Sequence, residues 1–266
     1  MASPPIFTPR SFRVGQLRVE VRRSRAEAGL AAATDAAEHL RGVLARQEEA
    51  RVIFACAPSQ DEFLDALTGE TGIDWHRVTG FHMDEYVGLA RSHPASFRNY
   101  LREHVTSRIP LGRVHELAGD AADVSAEASR YSALLAEAPI DLVCLGIGEN
   151  GHIAFNDPPV ADFADPLVVK KVELDLACRE QQVNDGCFPR LGEVPAHALT
   201  LSIPALMSGQ RLCCVVPGAR KAAAVRSTLL GPISTACPAS VLRTHPAATL
   251  YIDPDSASGF SKEALS

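Results

Sequence analysis

Short runs rich in valine, isoleucine and leucine alternate along the chain with longer amphipathic segments. This alternation predicts an α/β fold, with a mostly parallel open sheet and helices on both of its faces. The predicted strands are Arg51–Cys56, Arg77–Met83, Val114–Leu117, Ile140–Leu145, Leu167–Leu174, Leu199–Ile203, Arg211–Val216 and Ala248–Ile252. The predicted helices are Ser24–Gln47, Gln60–Leu67, Ala95–His104, Ser125–Glu137, Asp175–Val183 and Arg220–Leu230.

The 266 residues contain no repeat, low-complexity tract or long linker, so one domain over residues 1–266 is expected. A net charge of −6 argues against nucleic acid or an acidic membrane surface as partner, because such partners require clustered lysine and arginine. No apolar run is long enough to span a membrane. The N-terminal stretch MASPPIFTPRSFRVGQ lacks the basic and apolar regions of a secretory signal, so a cytoplasmic protein is expected.

The seven cysteines fit that location. Cys56, Cys144, Cys213 and Cys214 fall inside apolar runs, the total is odd, and no CxxC spacing occurs. This pattern favours buried free thiols over disulfides or a metal cluster.

Two acidic residues follow the second predicted strand in the segment FHMDEYVGL, residues 81–89. Asp84 and Glu85 come directly after Met83 and are framed by apolar side chains. This framing would remove at least one carboxylate from water, which raises its pKa and makes it a better base. The segment predicts a catalytic base, and a solvated acidic loop is the alternative.

Three glycines follow the strand Ile140–Leu145 in the segment LGIGENGHIAFNDPP, residues 145–159. Gly146, Gly148 and Gly151 allow the backbone to turn sharply or to approach a ligand closely. A dinucleotide site would need a suitable helix after these glycines and an acid about twenty residues later at the end of the next strand. Neither is found, so another kind of ligand is expected.

The same segment carries His152, with Asn150 two residues before it and Asp157 five residues after it. These neighbours offer partners for both ring nitrogens, which would fix the tautomer and make an acid and base that works near neutral pH. A histidine that only makes structural hydrogen bonds is the alternative.

A basic pair follows the strand Arg211–Val216 in the segment PGARKA, residues 217–222. A glycine and cations at a helix start suit an anion, because free N–H groups and positive charge coincide there. Arg220 and Lys221 would equally suit a solvated helix face. Arg179 is a further cation with no local signal of its role.

The segments FHMDEYVGL, HPASFRNYL, LGIGENGHIAFNDPP and GARKAAAV, in this order, resemble the glucosamine-6-phosphate deaminase (isomerase) family. The resemblance runs from about Arg51 to Ile252. The motif GHIAFN distinguishes the chain from 6-phosphogluconolactonases, which share the fold and have a GHTAS-like motif at the same position. The resemblance implies a modified Rossmann-like fold and a sugar-phosphate substrate. It also implies aldose–ketose isomerisation and deamination of glucosamine 6-phosphate to fructose 6-phosphate and ammonia, without metal or organic cofactor.

Carried over by motif, Asp84 would move a proton from C2 to C1 and His152 would open the pyranose ring. Asp157 stands where the family usually has a glutamate that holds this histidine, and Asn150 stands where it often has an aspartate. Arg179 and Lys221 match its phosphate ligands. The other residues expected to contact substrate are Ser59, Glu85, Gly148 and Gly151.

Two departures from the family's pattern bear on activity. Asn150 offers no charge to an imidazolium, so Asp157 must supply that charge if activity is retained. A glycine-containing phosphate loop of TGGTP type is replaced by Ala57–Gln60, in which Pro58 lacks an N–H donor. The phosphate would then depend more on Ser59, Arg179 and Lys221, or be held differently.

Other functions stay open at this stage. The substrate could be galactosamine 6-phosphate or another 6-phosphosugar, and Asn150 would also suit a sensor that binds a sugar phosphate without turnover. A homo-oligomer is compatible with the sequence.

Overall fold

A computed structural model describes residues 9–260. Its strands are β1 Arg10–Val14, β2 Leu17–Val21, β3 Ala50–Phe54, β4 Val78–His82, β5 Asp84–Tyr86, β6 Arg113–His115, β7 Leu142–Leu145, β8 Val169–Glu173, β9 His197–Leu201, β10 Arg211–Val216 and β11 Ala248–Ile252. Its α-helices are α1 Arg25–Leu44, α2 Asp61–Thr68, α3 Phe97–Leu101, α4 Val124–Ala136, α5 Leu176–Asn184, α6 Ile203–Met207 and α7 Ala222–Leu230. Two terminal stretches, residues 1–8 and 261–266, lie outside the described residues. The first belongs to the segment searched for a secretory signal, and both belong to the predicted domain.

Eight strands form the main sheet in the order β1-β2-β11-β10-β7-β3-β4-β6. Every neighbouring pair is parallel except the β1–β2 hairpin at one edge. The prediction of a mostly parallel open sheet is therefore confirmed. Strands β5, β9 and β8 form a separate antiparallel sheet.

Both faces of the main sheet are covered, because successive side chains of each strand point to opposite faces. In β3, Val52 and Phe54 join the apolar core that includes α1 and α2. The intervening Ile53 joins the opposite core, which includes α4 and α7. Cys213 and Cys214 of β10 divide between the two cores in the same way. All seven cysteines are free thiols, as the sequence predicted.

Four short elements were not predicted: β1, β2, β5 and α6. β1 and β2 form a hairpin whose turn uses Gly15 at a φ of +59°, in the left-handed region that favours glycine. Asp84–Tyr86 was expected to be a loop, but it pairs with β9. Within residues 9–260, no helix is both long and apolar enough to cross a membrane.

Candidate active site

A cavity lies at the carboxyl ends of the central strands, where ligands bind in open α/β sheets. Its walls include the segments that follow β3, β4 and β7, together with side chains from α5. The polar residues that line it are Ser59, Gln60, Asp84, His152, Gln181, Gln182, Asp185 and Lys221.

Asp84 places a buried carboxylate in this cavity, with the residue only 6% exposed. Burial raises the pKa of Asp84 well above its ordinary value, and the neighbouring Glu85 charge adds to the shift. Within residues 9–260, no hydrogen bond reaches its carboxylate oxygens. The carboxylate is therefore held near the cavity by its backbone and is free to exchange a proton with a ligand.

His82 fixes the backbone from which Asp84 projects. Its Nδ1 lies 2.8 Å from the backbone oxygen of Asp84, and its Nε2 accepts from Leu117 N at 2.8 Å. Nδ1 therefore carries the proton and donates it, which defines a neutral tautomer. Burial lowers the pKa of His82, in keeping with this neutral form. His82 is a positioning residue that the sequence analysis did not identify.

The structure does not bring Glu85 to the cavity, although the sequence predicted a contact with substrate. Glu85 is fully buried, and its Oε2 accepts from Ser96 Oγ at 2.7 Å and from both Arg98 N and Nε at 3.1 Å. Asp84 and Glu85 are successive residues of β5, so their side chains point to opposite sides. Glu85 consequently anchors the start of α3.

His152 and Asp157 form a close pair. Nδ1 of His152 lies 2.8 Å from Oδ1 of Asp157, which is fully buried. Burial alone would raise the pKa of Asp157, but the hydrogen bonds and charge from His152, with help from Asn150, lower it overall. Asp157 is therefore an anion positioned to stabilise a protonated imidazole. His152 also lines the cavity, and no described residue bonds its Nε2.

Asn150 supports this pair without touching the ring nitrogens. Its Nδ2 donates to Asp157 Oδ1 at 2.9 Å, and its Oδ1 accepts from the backbone N of His152 at 3.1 Å. The sequence analysis expected Asn150 to be a ring partner. In the structure it holds the carboxylate and the backbone on either side of the ring.

Cys178 is a further neighbour of Asp157 that the sequence analysis did not identify. It lies in α5 and is 1% exposed. Burial, the charge of Asp157 and a hydrogen bond to that carboxylate raise the pKa of Cys178 well above its ordinary value. Cys178 is therefore a neutral thiol beside Asp157. Nδ1 of His152, a carboxylate oxygen of Asp157 and Sγ of Cys178 lie within 4.8 Å of one another.

Two of the glycines in the loop after β7 have distinct roles. A Cβ on Gly148 would lie 2.2–2.4 Å from three ring atoms of His152, so only glycine leaves room for the imidazole. Gly151 has a φ of +87° and packs against Cys237. The structure does not place Gly151 in the cavity wall, whereas Gly148 does line it.

Replacing Gly148 with alanine is expected to push the His152 ring away from Asp157, because the new methyl group would occupy the space of the imidazole. A 1 Å misplacement of a catalytic group costs about 10²-fold in rate. We expect a loss of kcat of at least about this size, measured by steady-state kinetics. Gly192→Ala is the control, because a Cβ there meets nothing. Equal, unchanged kcat for both variants would contradict this role of Gly148.

Lys221 lies at the edge of the cavity, where a short 3₁₀ turn precedes α7. It is 7% exposed, and burial lowers its pKa against the raising effect of Asp185 and Glu149. Among the described residues it forms no ion pair, whereas Arg220 pairs with Asp185 at 2.6 Å. Lys221 and Ser59 also line an adjoining cavity that includes Arg25 and Arg220.

The structure does not bring Arg179 to the active-site cavity. Its NH2 group donates to Leu191 O at 3.0 Å and to Val194 O at 2.9 Å. It lines a different cavity, whose walls include Asp157 but not His152. Two glutamines of the same helix, Gln181 and Gln182, line the active-site cavity instead.

The glutamines are polar cavity residues that the sequence analysis missed. Gln182 Oε1 accepts from Tyr86 Oη at 2.7 Å, which leaves its amide N–H groups for a ligand. Gln60 Nε2 donates to Val215 O at 3.0 Å, and its Oε1 has no partner within the described residues. Gln60 closes the 3₁₀ turn Pro58–Gln60.

Comparison with known proteins assigns the chain to a family. The family model described as glucosamine-6-phosphate isomerases/6-phosphogluconolactonase matches residues 23–251. The chain belongs to this family. The glucosamine-6-phosphate deaminase of Pseudarthrobacter chlorophenolicus is 36% identical over 228 residues, which cover 84% of this chain and 86% of that protein. The deaminase of Listeria monocytogenes serotype 4a is 36% identical over 210 residues, covering 79% of this chain and 88% of that protein.

Solved structures of the isomerase/lactonase family have the same fold. A monomeric glucosamine-6-phosphate deaminase superposes with a TM-score of 0.84 at 29% identity, covering 91% of this chain and 99% of that one. A 6-phosphogluconolactonase from Shewanella baltica OS155 superposes with a TM-score of 0.72 at 17% identity, covering 88% and 96%. The second likeness bears on the fold alone.

Proposed function

We propose that this protein is an enzyme that isomerises and deaminates glucosamine 6-phosphate to fructose 6-phosphate and ammonia. The observation that carries the proposal is the cavity shared by Asp84 and His152, in which a hydrogen-bond-free carboxylate faces the same space as an imidazole paired with Asp157. The names of the relatives support the choice of substrate.

His152 opens the sugar ring in the proposed reaction. Its Nε2 takes the proton of the C1 hydroxyl and returns a proton to the ring oxygen as the C1–O5 bond breaks. Asp157 stabilises the imidazolium that forms between these two transfers, because its carboxylate lies 2.8 Å from Nδ1. The open-chain aldehyde that results has an acidic proton on C2.

Asp84 then removes the C2 proton, and the electron pair forms a C1–C2 double bond while the aldehyde oxygen gains a proton. The same carboxylate returns a proton to C1, which leaves an imine at C2. Its raised pKa suits it to both steps, since a more basic carboxylate abstracts a carbon-bound proton more readily. Water adds to the imine carbon, and ammonia departs to give the ketone. No step requires a metal or organic cofactor.

Lys221 is the proposed phosphate ligand, together with Ser59 and the N–H groups around Pro58–Gln60. Among the lysine and arginine side chains that line the active-site cavity and the adjoining cavity, Lys221 is the one that lacks an ion-pair partner within residues 9–260. Arg25 pairs with Glu62 and Arg220 with Asp185, so these side chains are neutralised locally. We therefore assign the phosphate to Lys221 and Ser59 rather than to Arg179.

Lys221→Ala should weaken binding of a phosphorylated substrate or inhibitor by about ten- to hundredfold, because a hydrogen bond to a charged group is worth about 1.5–3 kcal/mol. The slow turnover of unphosphorylated glucosamine should change little. Arg226→Ala, which removes an exposed cation of α7, is the control. Isothermal titration with inorganic phosphate and with the sugar phosphate measures the effect. Equal phosphate affinity in wild type and Lys221→Ala would remove Lys221 from this role.

The sensor alternative rested on Asn150. In the structure this amide donates to Asp157 and so strengthens the pair that an acid–base histidine needs. The amide is therefore compatible with catalysis. An assay with several amino sugar 6-phosphates decides which epimer is the substrate.

Ammonia release from a panel of glucosamine, galactosamine and mannosamine 6-phosphates, with ketose formation followed in parallel, tests the proposal. We expect equal amounts of ammonia and fructose 6-phosphate from glucosamine 6-phosphate. Binding without turnover of any member would favour a sensor, and faster turnover of galactosamine 6-phosphate would change the substrate.

The proposal treats residues 1–266 as one sugar-phosphate isomerase/deaminase domain, supported by the two apolar cores that share one sheet. A cytoplasmic location and a homo-oligomer stay predictions from the sequence.

A further inference from the structure

We propose that His152, Asp157 and Cys178 form a binding site for a thiophilic divalent cation, such as Zn²⁺ or Cd²⁺, and that this cation inhibits the enzyme. Imidazole, carboxylate and thiolate are the three side-chain ligand types of protein zinc sites. In this chain one of each is brought together within 4.8 Å, from two loop residues and one residue of α5. The inhibition rests on the proposed function, whereas the binding does not.

The distances suit a tetrahedral ion. Bond lengths of about 2.0–2.3 Å to nitrogen, oxygen and sulfur place the ligand atoms of a zinc site about 3.3–3.7 Å apart. The Nδ1–Oδ1 separation of 2.8 Å must widen slightly, and the sulfur must approach from within 4.8 Å. Side-chain rotations of under about 1 Å achieve both changes, since each ligand atom lies at the end of its side chain.

Neighbouring residues already hold these ligands, as the outer shell of a metal site does. Asn150 Nδ2 donates to Asp157 Oδ1 at 2.9 Å, and the backbone N of Asp175 lies 3.4 Å from Oδ2. The second contact is long, so Oδ2 keeps capacity to bind a cation. Gly148 packs against the His152 ring and limits its rotation.

A second cavity shares one residue, Asp157, with the proposed site. A cavity of about 360 Å³ is lined by Asp157, Glu173, Asp175 and Arg179, but not by His152. Three carboxylates face a single guanidinium there, and a concave wall with excess negative charge concentrates cations. The guanidinium of Arg179 offsets only one of these three negative charges. Its NH2 group is held by two backbone carbonyls.

Binding changes the protonation of two ligands and needs no redox partner. The Cys178 thiol releases its proton to solvent, and a sulfur lone pair forms the bond to the metal. The proton on Nδ1 of His152 moves to Nε2, so that the Nδ1 lone pair can bind the ion. Nε2 then carries a proton and cannot accept one from the sugar hydroxyl. Ring opening therefore stops.

Cadmium titration of the full-length protein tests the site independently of activity, through the ultraviolet charge-transfer absorption of a cadmium–thiolate bond. We expect saturation at one ion per chain in wild type and in the control Cys187→Ser, and no such absorption in Cys178→Ser. Serine keeps a donor toward Asp157 but is a poor ligand for Cd²⁺. The same absorption in Cys178→Ser would overturn the proposal.

Zinc inhibition gives the functional readout, with each protein compared with its own rate in EDTA. The Zn²⁺ concentration for half-inhibition should rise by more than about tenfold in Cys178→Ser, because even outer-shell partners are worth about 10- to 100-fold in metal affinity. Unchanged inhibition in that variant would overturn the inhibitory role. Should Cys178→Ser fail to fold, X-ray absorption of wild type with Cd²⁺ decides: one sulfur among nitrogen and oxygen donors supports the site, and none or two overturn it.

Discussion

Asp84→Asn is expected to lower kcat by about 10²–10⁴-fold, the range that a positioned general base contributes. The amide cannot take the C2 proton, yet it keeps the size and nearly the shape of the carboxylate. Substrate affinity should stay within a few fold, since Lys221 and Ser59 are untouched. Steady-state kinetics with glucosamine 6-phosphate measures both quantities. A variant with wild-type kcat would remove Asp84 from the reaction.

The raised pKa of Asp84 has consequences for pH dependence. As a base it must be ionised, so wild-type activity should fall on the acid side at a pH above that expected of an exposed aspartate. The same shift bears on stability. A folded-state pKa above the unfolded value favours folding at low pH, and this contribution is lost as the pH rises through the folded value.

Asp84→Asn should therefore be more stable than wild type at neutral pH, and the difference should shrink on acidification. Thermal unfolding across pH measures it, with the exposed Asp74→Asn as control. A variant that is inactive and also less stable at every pH would indicate a damaged fold instead of a missing base.

Asp157→Asn is expected to be nearly as harmful. The corresponding change in the serine-protease triad lowers kcat by about 10⁴-fold, because the imidazole takes the wrong tautomer. Here Asp157 Oδ1 lies 2.8 Å from Nδ1 and is the charged partner of the ring. Steady-state kinetics with glucosamine 6-phosphate measures the loss. An unchanged kcat would contradict this account.

Asn150→Asp distinguishes charge from hydrogen bonding at the same pair. From sequence alone this change is expected to be tolerated, but the structure leads to a different expectation. Asn150 Nδ2 donates to Asp157 Oδ1 at 2.9 Å, so an aspartate would set two carboxylates against each other. The single variant should lose activity. Unchanged kcat in this variant would show that the amide of Asn150 is not needed by the pair.

The sequence was sufficient for the fold class and for the place of three proposed site residues at one edge of the sheet. Apolar runs such as Ile140–Leu145 predicted the parallel strands, because a strand buried on both faces has no polar alternation. Asp84, His152 and Lys221 follow strands directly, and the carboxyl ends of parallel strands converge on one cavity. Local sequence thus fixes their approximate place in the fold.

The directions in which the side chains of Asp84 and Glu85 point were harder to predict. Asp84–Tyr86 was expected to be a loop, so the alternation that sends Asp84 and Glu85 to opposite sides could not be used. That strand exists because it pairs with β9, more than a hundred residues later in the chain. Long-range pairing of this kind leaves little local signal in a three-residue segment.

Helical spacing explains why two glutamines of α5, and not Arg179, line the active-site cavity. Cys178, Gln181 and Gln182 are buried and recur at three- and four-residue intervals, which define one face of α5. Arg179 lies off that face and donates to the carbonyls of Leu191 and Val194. The burial pattern of α5 could have been predicted from spacing, but Arg179 was assigned as a phosphate ligand through the resemblance to the family.

The most direct test of the proposed chemistry is the reaction of wild type and Asp84→Asn with glucosamine 6-phosphate in deuterium oxide, with products analysed by mass spectrometry and NMR. Wild type should release ammonia and fructose 6-phosphate in equal amounts, with solvent deuterium incorporated at C1 of the ketose. Asp84→Asn should give neither product at a comparable rate. Ammonia release from Asp84→Asn at the wild-type rate would contradict proton transfer through Asp84. Unlabelled ketose from wild type would instead show that Asp84 passes the C2 proton to C1 before it exchanges with solvent.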